Sequence, residues 1–127
     1  MIPRANRQVH SSMAFAFDHA ARVVPDIAEA VRFTVDLIPG SKVLYQDDSW
    51  AFVDAAGAKL AFVLRDQHPD HLAWRVDTAT LEEMAARHGR EIKAHRDGTR
   101  SFYVEGPGGM SVEIITFDGS RWEEPVG

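Results

Sequence analysis

The feature that most constrains this chain is an order of strand and helix signals that runs through once and then runs through again. The first round opens with an apolar, strand-like stretch from Phe15 to Val24 and turns at Pro25-Asp26. There Asp26-x-x-Glu29 predicts a capping box, in which side chains satisfy the first N–H groups of a helix carrying Ile27, Val31, Val35 and Ile38 on its buried side. Pro39-Gly40 ends that helix, and three short strands are expected over 41–45, 50–54 and 59–64, with turn-forming residues between them. The second round has a strand over 71–76, a helix capped by Thr80-x-x-Glu83 that bears Leu81, Met84 and Ala85 and stops at His88-Gly89, and strands over 91–95, 101–105 and 111–117. Each round reads βαβββ, so the expected fold class is α+β: a single domain over 14–127, with modules 14–66 and 67–118 and a short C-terminal tail. Residue identity between the rounds is low, so the repeat is one of element order. Residues 1–13 lack periodicity and read as a flexible arm, in which His10 has no supporting context and Met13 could serve as an internal start.

Composition removes several function classes. At 127 residues with 45% apolar and 26% charged side chains, the chain has the balance of an ordinary soluble domain. A net charge of −5 leaves no basic face for phosphates, so nucleic acid is not an expected partner. The absence of cysteine excludes disulfide frameworks, thiolate metal sites and cysteine nucleophiles. No apolar run approaches a membrane span and nothing at the N-terminus resembles a signal peptide, so the expected setting is cytoplasmic, with no membrane partner.

The chemistry concentrates in the stretch from His95 to Glu113. It places His95, Tyr103 and Glu113 around two strands joined by Gly106-Pro-Gly-Gly109, which brings Tyr103 and Glu113 near each other. Counting through the repeat adds two histidines. His19 lies in the first strand of the first round and His71 holds the same place in the second, 52 residues on; by the same offset the counterpart of Glu113 is Ala61. The arrangement supplies His, His and Glu with the fourth corner empty, a donor set associated with non-haem Fe(II) oxygen chemistry and also suited to Mn(II). Each residue has a structural alternative. The histidines could be strand residues satisfied by backbone, Glu113 a solvent-facing carboxylate, Tyr103 a core or interface residue, and His95 a polar strand end. Trp50, Phe52, Phe62 and Trp74 read as core more than as a substrate cage, and Arg75, on the strand face of His71, either pairs with an anionic substrate or forms a salt bridge.

Through Phe17-Asp18-His19, Val24-Pro25-Asp26, His71-Leu-Ala-Trp74 and Gly106-Pro-Gly-Gly-Met-Ser-Val-Glu113, residues 15–117 resemble the vicinal oxygen chelate superfamily. The resemblance implies a cupped mixed sheet built from the two βαβββ modules, metal ligands at His19, His71 and Glu113, and commonly a homodimer acting on a small-molecule substrate. A fourth ligand, found near the position of Ala61 in glyoxalase I and the epimerases, is absent. Within the superfamily, His95, Phe102-Tyr103, Pro107-Gly-Gly109 and Glu113 are similar to the signature of the type I extradiol ring-cleaving dioxygenases. That implies Fe(II) and a catecholic or other vicinal-oxygen substrate, with Tyr103 hydrogen-bonding an oxygen and His95 handling a proton. Lys93 and Gly106 depart from the pattern, and the further histidine those enzymes use for proton transfer has no clear counterpart, since His68 is only three residues before His71. Ser101-Phe-Tyr103 and Glu113 are also shared with the fosfomycin-resistance enzymes, which implies an Mn(II)-dependent transferase or hydrolase with Asp48 near a carboxylate of the hydrolase type; Ala21 departs from the threonine expected there. A glyoxalase-like lyase or isomerase and a metal-free, antibiotic-sequestering protein complete the range of expectations.

Overall fold

A computed structural model describes residues 14–120. The arm expected over 1–13, with His10 and Met13, and the last seven residues of the tail lie outside the described residues. The element order is β1 (Ala16–Val23), α1 (Ile27–Leu37), β2 (Lys42–Gln46), β3 (Trp50–Ala55), β4 (Ala58–Val63), β5 (His71–Arg75), α2 (Thr78–Arg87), β6 (Lys93–Ala94), β7 (Arg100–Glu105) and β8 (Ser111–Thr116). βαβββ therefore occurs twice. The strands form one mixed sheet with hydrogen-bonded order β2-β3-β4-β1-β5-β8-β7-β6. Among the described residues no helix is long and apolar enough to cross a membrane.

Contacts divide the described chain into two compact units, one comprising 18–73 with 107–111, the other 14–17, 74–106 and 112–120. In the first, α1 begins where Asp26 accepts a hydrogen bond from the Glu29 N–H at 3.0 Å. Ile27 and Val31 on that helix pack with Ala51, Val53 and Phe62. Thr34 is buried too, its hydroxyl donating to the Ala30 carbonyl at 2.9 Å, while Val35 and Ile38, expected inside, are half-buried. β4 pairs parallel with β1, Ala21 opposite Ala61, and antiparallel with β3, Phe52 opposite Ala61. The β3–β4 turn uses Ala56 at φ 55° and Gly57 at φ 90°, the left-handed pair that a two-residue hairpin requires, and Asp54 accepts from the Gly57 N–H.

In the second unit, α2 corrects the sequence reading by half a turn or more. Its cap is Asp77, whose carboxylate accepts from the Thr80 N–H at 2.8 Å, so the helix starts at Thr78 and Thr80 sits buried in its first turn. Both residues are good caps by type, and the earlier one wins because Asp118 also ties down Thr78, accepting from its N–H and its hydroxyl. Glu83 instead takes an exposed ion pair with Arg87. Leu81, Ala85, Val76, Phe102 and Ile114 form the core beneath. β6 is also shorter than expected: only Lys93 and Ala94 pair with β7, opposite Ser101 and Arg100. The hairpin closes through the His95 N–H to the Thr99 carbonyl, at a turn where a Cβ on Gly98 would stand 2.9 Å from the Ser120 Cα. Glycine is required there by close approach as well as by its φ of 91°.

One pair of hydrogen bonds confirms the internal repeat at atomic detail. The Val24 N–H donates to the Val63 carbonyl at 2.8 Å, and the Val76 N–H donates to the Ile115 carbonyl at 2.9 Å. Donor and acceptor are both displaced by 52 residues, the offset that relates His19 to His71 and Ala61 to Glu113.

Candidate metal centre

His19 projects from β1 at 8% exposure, and its Nδ1 lies 2.7 Å from a carboxylate oxygen of the adjacent Asp18. His71 opens β5 at 7% exposure, with Nδ1 2.8 Å from the Pro69 carbonyl oxygen. Both contacts are to groups that only accept, so in a neutral imidazole each fixes the proton on Nδ1 and the lone pair on Nε2. That tautomer presents Nε2 as a possible ligand atom, and acceptors in these positions orient metal-binding rings. The two rings are 5.5 Å apart at 72°.

Glu113 alternates in β8 with Val112 and Ile114, which belong to the helix-side core, so its side chain takes the other face; it is 4% exposed. The Tyr103 hydroxyl donates to its carboxylate. Burial, and next to it the negative charge of Glu113, hold the Tyr103 phenol far above its ordinary range, so it remains a proton donor. Ligand atoms of His19, His71 and Glu113 all lie within 4.8 Å of one another, a grouping that can hold a metal ion. Two imidazole nitrogens and one carboxylate fit the 2-His-1-carboxylate donor set with coordination positions left over.

His95 is placed by its Nε2, 2.8 Å from the Ser101 Oγ. Ser101 is 1% exposed and lies two residues before Tyr103, hence on the same face of β7. A pocket of about 270 Å³ beside them is lined by His95, Ser101, Tyr103, Lys93 and Arg90 among others. His68, set aside from sequence, has its ring 6.2 Å from that of His71. Asp48 is exposed in the β2–β3 turn. Arg75 lays its guanidinium 4.0 Å over the Phe117 ring.

The aromatic expectations divide. Phe62 and Trp74 do pack with the helix-side cores. Trp50 and Phe52 do not: Phe52 meets His19 edge-on, ring centroids 5.5 Å apart, and Trp50 adjoins Phe52 at 6.1 Å. The strand Trp50-Ala-Phe-Val-Asp-Ala is apolar on both faces over its first four residues, so alternation alone does not say which face the helix covers. Asp18 and Ser101 stand in the quoted motifs, but their contacts with His19 and His95, and that of the Pro69 carbonyl with His71, are not marked by residue type or spacing.

No protein-family model matches the chain, and no curated protein matches it. Solved structures do resemble it. A glyoxalase/bleomycin resistance protein/dioxygenase superfamily member from Vibrio splendidus 12B01 superposes with a TM-score of 0.59 at 17% identity, over 80% of this chain and 99% of that one. A protein described as an NAD-dependent benzaldehyde dehydrogenase from Legionella pneumophila gives 0.59 at 14% identity, over 76% and 96%. An extradiol ring-cleaving dioxygenase from B. fuscum gives 0.61 at 21% identity, over 79% of this chain, which spans only 33% of that enzyme. At these identities the likeness shows the fold alone, an α+β fold of the vicinal oxygen chelate type.

Proposed function

We propose that the chain is a metal-dependent enzyme of extradiol dioxygenase type, in which His19, His71 and Glu113 hold Fe(II) and Tyr103 and His95 serve a small catecholic or other vicinal-oxygen substrate. The observation that carries the reading is the pair of Nδ1 contacts, Asp18 on His19 and the Pro69 carbonyl on His71, which prepare two buried imidazoles as ligands beside a buried carboxylate. Bound there, Fe(II) would supply electron transfer between an aromatic diol and O2, with positions left for both. The rest falls to the chain. Tyr103 keeps its proton and orients the Glu113 carboxylate, and the same hydroxyl can turn to an oxygen of a bound substrate. His95, held by Ser101 on the same face, is the group we assign to proton transfer. We also read the protein as a homodimer: Phe33 and Leu37, about one turn apart on α1, are 66% and 63% exposed, an apolar surface of the kind a second copy covers.

Metal analysis of protein purified without chelator tests the centre, and oxygen uptake on a panel of catechols tests the reaction. Iron with oxygen uptake supports the dioxygenase, manganese without it supports a fosfomycin-resistance-type enzyme, and no metal supports a sequestering protein. His71→Ala and Glu113→Ala should each lose the metal; full metal content in both overturns the ligand assignment. Tyr103→Phe should keep the metal and lower kcat about a hundredfold to a thousandfold. Unchanged turnover in that variant removes Tyr103 from the reaction.

A further inference from the structure

β2 and β3 carry a run of aromatic side chains that ends at His19. Tyr45 stacks on Trp50 with ring centroids 4.8 Å apart and planes 28° from parallel. Trp50 meets Phe52 at 6.1 Å and 48°, and Phe52 meets His19 at 5.5 Å and 87°. The register explains the line: Tyr45 lies opposite Phe52 across β2 and β3, and Phe52 opposite Ala61 across β3 and β4. The alternate residues of β3 belong to the core under α1, where Ala51 and Val53 are fully buried. The three rings are therefore on the other face, and each is only half-buried. Part of the Trp50 and Phe52 surface thus stays open to water and could be covered by a ligand.

The run is also fixed in place. Asp47 accepts hydrogen bonds from the Tyr45 hydroxyl at 2.5 Å, the Ser49 N–H at 2.7 Å, the Ser49 hydroxyl at 2.8 Å and the Trp50 N–H at 3.0 Å. Its own N–H donates to the Trp50 carbonyl at 2.9 Å. One carboxylate thus closes the β2–β3 turn and holds the outer two rings against each other, so little ordering remains when a ligand arrives.

We propose that Tyr45, Trp50 and Phe52 form the specificity-determining wall of the site, binding the planar aromatic ring of the substrate with its oxygens directed towards His19. The proposal rests on the metal-centre reading above and adds what that reading leaves open, the part of the molecule that selects a ring. The wall offers π faces and edges and carries no cationic side chain, and the small, buried Ala61 opposite Phe52 adds no group that competes for a ligand. A flat, neutral ring suits such a surface better than an anionic or purely aliphatic ligand.

The test uses the metal-loaded full chain and two probes that chelate through neighbouring oxygens, 4-nitrocatechol, which has a ring, and oxalate, which does not. Trp50→Leu and Phe52→Leu keep apolar bulk and remove the ring. Each should weaken 4-nitrocatechol by about three- to tenfold, the size of one aromatic contact, with oxalate affinity and metal content unchanged. Trp50→Phe should restore most of the loss. Unchanged 4-nitrocatechol affinity, or equal losses for both probes, overturns the wall. Tyr45→Leu, farthest from the core, replaces Phe52→Leu should that variant fail to fold. Wild-type protein that takes up no metal overturns the metal-centre reading instead. The wall is then judged on 4-nitrocatechol binding to the metal-free chain, sustained if Trp50→Leu weakens it and overturned if it does not.

Discussion

The same backbone carries opposite chemistry in the two βαβββ rounds. In the first, the face bearing the candidate site reads Tyr45, Trp50, Phe52 and Ala61; in the second, at offsets of 50 to 52 residues, it reads His95, Ser101, Tyr103 and Glu113. The aromatic set is joined by ring contacts, with one polar tether, the Tyr45 hydroxyl donating to Asp47. The polar set is satisfied internally, His95 by Ser101 and Glu113 by Tyr103. The sheet supplies equivalent positions, and side chains alone set their chemistry: aromatic rings in one round, imidazole, hydroxyl and carboxylate in the other. Between Phe52 and Tyr103 the difference is one hydroxyl, and that hydroxyl has a partner only because Glu113 stands where the first round has Ala61.

Restoring the missing symmetry should have the largest effect. Ala61→Glu puts a second carboxylate into a buried position that is 4% exposed, at a cost of several kcal/mol without a compensating cation. The metal-free variant should melt well below the wild type, and Mn(II) or Fe(II) should raise its Tm more than it raises the wild type's, because a fourth ligand joins the set. Turnover should fall at least about a hundredfold as a coordination position is filled. Equal metal-induced shifts in Tm would place Ala61 outside the reach of the metal. A smaller effect is expected from Asp18→Ala, which leaves His19, the proposed ligand, in place but removes the acceptor on its Nδ1. Metal affinity should drop about tenfold to a hundredfold, read by competition with a chromophoric chelator, with secondary structure unchanged. An affinity equal to wild type would reduce the Asp18 contact to packing.

How much of this was legible beforehand follows from what kind of information each feature needs. Element order was legible, because periodicity, Pro-Gly stops and Asp26 are local signals, and the offset of 52 residues then matched Glu113 with its counterpart Ala61. The α2 cap was not, because Asp77 and Thr80 are both competent by type and a residue 41 positions away, Asp118, settles the choice through Thr78. The proposed aromatic wall was legible only as the lesser alternative: Trp50 and Phe52 look more like core residues than a substrate cage until the helix is known to cover Ala51 and Val53. The supports of the two histidines depend on a side chain one residue away and a carbonyl two residues away, contacts that strand periodicity does not encode.

The smallest expected effect distinguishes the two rounds at their turns. Asp47 closes the β2–β3 turn and Asp97 the β6–β7 turn, the latter accepting from the Thr99 N–H and hydroxyl. Hydrogen bonds from the Tyr45 hydroxyl first, then from Ser49, hold the Asp47 carboxyl well below its ordinary value of 3.8. A carboxylate with a depressed folded-state pKa contributes stability that is fully present above its unfolded value and is lost as pH falls towards the folded one. The stability difference between wild type and Asp47→Ala should therefore be constant from neutral pH down to about pH 5, then shrink as pH falls through and below 4. Urea midpoints at pH 7, 5 and 3 measure it. Because the same bonds hold Tyr45 against Trp50, the variant should also weaken 4-nitrocatechol slightly at pH 7, whereas Asp97→Ala, on the polar side, should not. A difference in urea midpoint that stays constant to pH 3 would mean that the bonds to ionised Asp47 contribute nothing to holding the aromatic wall.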